Sequence, residues 1–237
     1  MLHKLHILLL TYNDLFNLKE CLKHIYQHTD YDFKIFILDN GSTDGTPDYL
    51  KSLSEEKGNV FITLRGNNLG IIEGRNSCFE FSQGIDNEND LVMFLDADQF
   101  VQKNWLDSYL NMIENYDVVG IEAWKMREKD FYPYKKVIDP IDSYNYVGAG
   151  GLVVKKKAID DIGLFDERYE MMYWEDPDLC FRAYEKGYKI GWNTEPVIVH
   201  NHSGPLLNDK TRKYFMQNWK VFQEKWKNKK MPIFKNG

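Results

Sequence analysis

Four short, nearly continuous apolar runs constrain the fold of this sequence more than any other feature: Leu5 to Thr11, Phe33 to Leu38, Val60 to Leu64 and Leu91 to Leu95. Runs of this length and β-branched content read as parallel strands buried on both faces. Between and after them lie Leu15 to His28, Thr46 to Glu56, Ile71 to Phe81 and Trp105 to Tyr116, whose apolar residues recur at helical spacing. The order βαβαβαβα predicts an α/β fold, a Rossmann-like and mostly parallel sheet flanked by helices with right-handed crossovers. In such sheets ligands bind outside the carboxyl ends of the strands. The polar clusters fall where that rule requires. Thr11, Tyr12 and Asn13 follow the first run, Asp39 to Asp44 the second, Arg65 to Gly70 the third and Asp96 to Asp98 the fourth.

At 237 residues, the chain fits one large domain. Val118 to Ala123 reads as a further strand, Lys125 to Tyr144 as irregular and charged, and Gly148 to Val154 as the start of a second half. A soft boundary near Trp124 therefore divides a nucleotide-binding half (1–124) from an acceptor half (125–205), with a basic aromatic tail (206–237), all sharing one core. The net charge of −6, with 36 acids against 30 bases, argues against a general nucleic-acid binder. Cys21, Cys78 and Cys180 are odd in number and in no metal-ligand spacing, which fits a reducing cytoplasmic setting. The first apolar run is far shorter than the roughly 18–20 residues needed to span a bilayer.

The strongest motif is MFLDADQF, residues 93–100, in which a buried strand ends in two aspartates separated by Ala97. The hard oxygens of Asp96 and Asp98 suit Mg²⁺ or Mn²⁺, which would bridge a diphosphate and offset charge on a leaving group. A solvated strand-end turn is the plainer reading of the same residues. In LDNGSTDGT, residues 38–46, the polar side chains of Asp39, Asn40, Ser42 and Asp44 crowd a glycine-containing turn before a helix. An acid at such a strand end can accept from the imide N–H of uracil or from a ribose hydroxyl. The loop is equally intelligible as a helix-capping segment.

Taken in order, the strand ending in Thr11, Tyr12 and Asn13, then DNGSTD, NNLG, GRN and DAD resemble the family 2 glycosyltransferases, which have the GT-A fold. The resemblance continues through residues 148–167, YWEDPDLCFRAYEKGYKI at 173–190 and VHNHSG at 199–204, covering most of the chain. It implies a nucleotide-sugar donor, with a UDP-sugar favoured, a divalent metal and direct displacement with inversion at the anomeric carbon. Carried over residue by residue, Asp39 matches the nucleobase-contacting acid, with Thr11 and Asn13 beside base and ribose. Asn67, Gly70, Arg75 and Asn76 match the loop and helix next to the nucleotide. Arg75 would contact diphosphate, or instead pair with Glu73 or Glu80 as a surface arginine. His200 matches a histidine that completes the metal site with Asp96 and Asp98 in many relatives, and His202 is the alternative.

Direct displacement needs a carboxylate opposite the leaving group to take the acceptor's hydroxyl proton. In WED, Asp176 is assigned that role, with Glu175 a close competitor for acceptor contact and Asp178 read as a helix cap. Trp174 either stacks on a sugar face or belongs to the core. Gly148, Gly150 and Gly151 permit close backbone approach to a bound sugar or diphosphate, or form an ordinary turn. Residues 210–230 carry eight Lys or Arg residues, interleaved with Tyr214, Phe215, Trp219, Phe222 and Trp226 and opposed only by Glu224. They read as a helix packing its aromatics on the domain, or as a peripheral membrane contact beside a lipid-linked acceptor. The Gln-x-x-Arg-Trp pattern of processive synthases is absent, so a single addition to a carbohydrate, lipid-linked or protein hydroxyl is expected. Little sequence follows Ser203 from which to build an acceptor platform. A non-catalytic nucleotide-sugar-binding scaffold and a sugar-1-phosphate nucleotidyltransferase are the rival readings. The latter lacks its Gly-rich basic loop here, and the intact DAD and WED weigh against the former.

Overall fold

The computed structural model describes residues 4–82, 84–201 and 208–236. In chain order the first half runs β1 (Leu5–Thr11), α1 (Leu15–His28), β2 (Phe33–Asp39), α2 (Thr46–Glu56), β3 (Val60–Leu64), α3 (Gly70–Phe81) and β4 (Leu91–Asp96). It continues with β5 (Gln99–Val101), α4 (Trp105–Ile113) and β6 (Val118–Gly120). The remainder comprises β7 (Ala123–Met126), β8 (Pro133–Lys136), β9 (Tyr146–Val147), β10 (Leu152–Lys155), α5 (Lys156–Ile162), α6 (Glu175–Glu185), β11 (Ile190–Trp192), β12 (Ile198–His200) and α7 (Asp209–Trp226).

Seven strands form the main sheet in the order β11-β6-β10-β4-β1-β2-β3, parallel throughout except for β10, which runs antiparallel to both neighbours. Alternate residues of each strand feed opposite faces. Leu5, Ile7 and Leu9 join Ile35, Ile37, Leu91 and Met93 in one hydrophobic cluster, while Leu8, Leu10, Phe36, Leu38, Val92 and Phe94 join the other. Both faces are therefore apolar, which explains why these strands carry no polar alternation. The two clusters each draw on residues from before and after Trp124, because the sheet interleaves strands from both parts.

Two sequence expectations need correction. The strand expected over Val118 to Ala123 breaks after Gly120, and Ala123–Met126 leaves the main sheet to pair with β8 and β9. The stretch 125–144, expected to be irregular, thus contains most of a three-stranded antiparallel sheet. The run Val197 to Val199, ending at His200, reads as a strand in the sequence, but its pairing with β5 does not, for each strand has only three residues and they meet across about a hundred positions.

The C-terminal helix α7 packs its aromatic face onto the protein. Phe222 and Trp226 are buried against Phe181, and Phe215 and Trp219 enclose Trp174. That face is consequently engaged within the chain, and among the described residues no helix is long and apolar enough to cross a membrane. Asp178 does not cap α6. It is fully buried and accepts from Tyr169 Oη (3.0 Å), Trp226 Nε1 (2.9 Å) and Arg182 Nε (2.7 Å), with Lys225 Nζ 2.6 Å away. Removing one partner from a buried ion network leaves the others unsatisfied. Asp178→Ala should therefore lower the unfolding free energy by about 3–5 kcal/mol, read by urea denaturation; a loss below about 1 kcal/mol would refute this anchoring role.

Candidate active site

The strand register brings the polar strand ends together. Thr11 pairs with Asp39 across β1 and β2, and Leu10 pairs with Asp96 across β1 and β4. Backbone bonds extend this edge: Asn40 N–H donates to Thr11 O (2.9 Å) and Arg65 N–H to Asp39 O (2.9 Å). Above it opens a cavity of about 400 Å³, lined among others by Thr11, Tyr12, Asp96, Asp98, Met171 and His200.

Asp96, Asp98 and His200 form a cluster whose ligand atoms all lie within 4.8 Å of one another. The pairing of β12 with β5 places it there, because His200 sits opposite Gln99, the residue next to Asp98. His200 Nε2 stands 3.3 Å from Asp98 Oδ1, and Asn201 N–H donates to Asp98 O at 2.8 Å. Gln99, buried, accepts the Asp96 N–H at 3.0 Å and so fixes the loop from below. Gly150 closes over it: a Cβ there would come within 2.7 Å of Gln99 Nε2 and 2.9 Å of Asp96 Oδ2. Gly151 follows with φ +71°, the left-handed conformation that favours glycine. Two carboxylates and an imidazole, each partly exposed, are a donor set that fits Mg²⁺ or Mn²⁺.

Arg75 is 5% exposed and pairs with neither Glu73 nor Glu80. Its Nη2 reaches both oxygens of Asp96 at 2.9 Å, and its Nη1 reaches Glu175 Oε1 at 3.4 Å. This guanidinium thus links the DAD and WED motifs, 100 positions apart in the case of Arg75 and Glu175. Glu175 is 4% exposed, whereas Asp176 is half-buried. Burial raises the pKa of Glu175, against the pull of Arg75. Burial and the adjacent Glu175 carboxylate raise that of Asp176 well above the usual range, again opposed by Arg75. Among the described residues neither Asp176 Oδ1 nor Glu175 Oε2, both buried, meets a protein donor, and the two carboxyls lie within hydrogen-bonding reach of each other.

Asp39 is buried at the end of β2. Both its oxygens accept the Ser42 N–H, at 3.3 and 3.2 Å, and burial raises its pKa despite those bonds. Thr11 Oγ1 is buried with no hydrogen-bond partner among the described residues. Ser42 Oγ accepts the Asn13 N–H (2.7 Å), and Asn13 Oδ1 accepts the Thr43 N–H (2.7 Å), which locks the first two loops together. Asp44 joins two helix starts, accepting from Leu15 N–H (3.0 Å) and Thr46 N–H (3.1 Å). Tyr12 is exposed at the cavity rim, and Ala97 is buried between the two aspartates.

Some expected ligand contacts are spent on the protein itself. Asn40 donates to Asn68 Oδ1 (3.0 Å) and Gly70 O (2.9 Å) and accepts from Leu69 N–H (3.0 Å). Asn76 exchanges bonds with the backbone of Phe165, at 2.8 and 3.0 Å, and donates to Glu167. Asn67 is exposed, its backbone packed under Gly41, and Asn68 is the neighbour that lines the cavity. Gly70, φ +85°, leaves room for the backbone of Met171, which a Cβ would approach to 2.5 Å. Trp174 is 3% exposed and donates through Nε1 to Phe215 O (2.9 Å), so its ring belongs to the core. His202 and Gly204 lie outside the described residues. Cys21, Cys78 and Cys180 are buried and unpaired, and burial pushes the Cys180 thiol up to about 12.

Sequence reasoning missed Met171, Met172 and Tyr173 as cavity lining and Gln99 as a support. Gln99 had a signal, since it directly follows the DAD motif. The apolar and aromatic run before WED had none that separates lining from core.

The chain resembles known proteins in sequence and in fold. The glycosyltransferase AglE of Haloferax volcanii is 23% identical over 206 residues, covering 82% of this chain and 66% of that protein. A poly-β-1,6-N-acetyl-D-glucosamine synthase of Staphylococcus aureus is 25% identical over 212 residues, covering 81% and 48%. The chain thus spans less than two thirds of the length of these relatives. Among solved structures, GalNAc-T7 with UDP, GalNAc and Mn²⁺ superposes with a TM-score of 0.75 at 14% identity, covering 96% of this chain and 48% of that one. The mannosyltransferase PcManGT of Pyrobaculum calidifontis with GDP-Man and Mn²⁺ gives 0.67 at 18%, covering 96% and 65%. S. aureus TarS 1-349 with UDP-GlcNAc gives 0.61 at 18%, covering 93% and 66%. These likenesses establish the fold as that of the GT-A glycosyltransferases. The family described as glycosyl transferase family 2 matches residues 6–180, and with the DAD, WED and strand-end loops in their family order the chain belongs to it.

Proposed function

We propose that this protein is an inverting, metal-dependent glycosyltransferase that adds one sugar from a nucleotide-sugar donor, a UDP-sugar favoured, to an acceptor hydroxyl. The observation that carries the reading is the convergence of Asp96, Asp98 and His200 on one cavity at the carboxyl edge of the sheet, tied through Arg75 to the WED carboxylates. Asp96, Asp98 and His200 would hold Mn²⁺ or Mg²⁺, which supplies charge compensation to a departing diphosphate. Asp39, at the far end of the same edge, presents its carboxyl to a base N–H, with Thr11 Oγ1 as a nearby unspent polar atom. Arg75 supplies fixed positive charge beside the diphosphate. Asp176 takes the proton from the acceptor hydroxyl as the hydroxyl oxygen bonds to the anomeric carbon and the donor's C–O bond breaks. Its Oδ1 is buried beside Glu175 and, among the described residues, takes no hydrogen bond from a protein donor.

The acceptor class is a carbohydrate, lipid-linked or protein hydroxyl in surface-glycan or glycoconjugate assembly. The relatives include glycan synthases, and three buried unpaired thiols support a cytoplasmic setting. A thermal-shift panel of UDP-, GDP-, dTDP- and CMP-sugars, with and without Mn²⁺, tests the reading. A ligand at a hundredfold excess over Kd stabilises by about 2.7 kcal/mol, or roughly 5–11 °C for a chain of this size. The UDP series is expected to give that shift only with Mn²⁺. No shift with any nucleotide would remove the transferase reading and leave only a scaffold that binds no nucleotide sugar.

A further inference from the structure

Asn218 occupies an odd place in α7. The helix presents Phe215, Trp219, Phe222 and Trp226 to the protein, and position 218 lies on that same apolar stripe. Asparagine is a poor helix former, and burying its amide is unfavourable unless every polar atom is partnered. Here the residue is 0% exposed and all its bonds go to one loop. Nδ2 donates to Glu170 O (2.9 Å), Met172 O (2.8 Å) and Tyr173 O (3.3 Å), and Oδ1 accepts the Glu170 N–H at 3.0 Å.

That loop is strained and sits at the centre of the site. Met171, Tyr173 and Trp174 hold φ of 61°, 73° and 76°, a conformation side-chain-bearing residues keep only when their surroundings enforce it. On one side the loop lines the cavity through Met171, Met172 and Tyr173, and Met171 O accepts the Ile71 N–H at 2.6 Å. On the other it leads directly into Glu175 and Asp176 at the start of α6, with no side-chain cap on that helix.

We propose that Asn218 is a positioning residue for transfer, clamping the 170–174 loop that joins the lining of the donor cavity to the WED carboxylates; the role rests on the transferase reading. The helix that carries it thereby belongs to the catalytic apparatus as well as to the core.

Asn218→Leu, close in volume, removes the bonds and keeps the packing. It should leave the Kd for UDP with Mn²⁺ within about threefold, because Asp39 and the Asp96, Asp98 and His200 cluster are untouched. It should cut kcat at least tenfold for whichever of UDP-glucose, UDP-galactose or UDP-N-acetylglucosamine the parent turns over. A kcat within threefold of the parent would overturn the assignment while leaving the transferase reading standing. A parent that binds no nucleotide and turns over no donor would overturn both. Native-state hydrogen exchange on the parent needs no variant: the Glu170 amide should exchange as slowly as the core amides of α7, and fast exchange there would overturn the clamp.

Discussion

Asp176→Asn should lower transfer by about 10²- to 10⁴-fold, the range in which a positioned general base contributes, while UDP affinity in the presence of Mn²⁺ stays within about threefold. The substitution keeps the shape of a half-buried side chain and removes only its capacity to accept a proton. Glu175 is the competing carboxylate, but it is 4% exposed and its Oε1 is engaged by Arg75, so it has less freedom to meet an acceptor. Turnover retained in Asp176→Asn and lost in Glu175→Gln would reverse the two roles.

The same pair predicts the pH dependence. Burial raises the pKa of both carboxyls, with the Glu175 carboxylate adding to the rise at Asp176. A base works only when deprotonated, so kcat/KM should rise with pH along a limb displaced upward from the ordinary carboxylate range, near 4. In Asp176→Asn that limb should disappear from the residual rate. Stability runs the opposite way: because the folded pKa values are raised, the contribution of this pair is fully present below the unfolded carboxylate values and is lost as pH rises through the folded ones.

The parallel core was legible because β1, β2 and β4 are short runs apolar on both faces and polar residues follow each strand, whereas β3 proves to be an edge strand with Phe61 and Leu64 exposed. The boundaries of α1 and α2 also follow from the sequence. The three-stranded sheet was hidden because strands of two to four residues, two of them carrying lysines, show no period. Within the site, residues on one strand edge could be grouped from the strand ends alone. Arg75 could not be joined to Glu175, nor Asn218 to the 170–174 loop, since nothing local encodes a bond spanning 100 or 48 positions. Trp174 shows the same limit: its place between a loop and a helix is compatible with solvent or core until α7 is laid over it.

Asp98→Ala is the cleaner probe of the cation site, because Asp96 also holds Arg75 and its loss would disturb the link to Glu175. Asp98 touches His200 at 3.3 Å and no arginine, so the variant subtracts one oxygen from the donor set and little else. Charge compensation by a bound divalent ion is worth several kcal/mol in the transition state. At 1.36 kcal/mol per tenfold, a loss of about 3 kcal/mol lowers turnover about 10²-fold or more. EDTA should have the same effect on the parent, and added Mn²⁺ should restore the parent but not the variant at equal concentration. The Mn²⁺-dependent part of the UDP thermal shift should vanish in Asp98→Ala, while any Mn²⁺-independent part, which Asp39 and Thr11 would supply, remains. Full turnover in EDTA would mean that Arg75 alone meets the charge on the diphosphate, and the aspartates would then serve to hold that arginine instead of a metal.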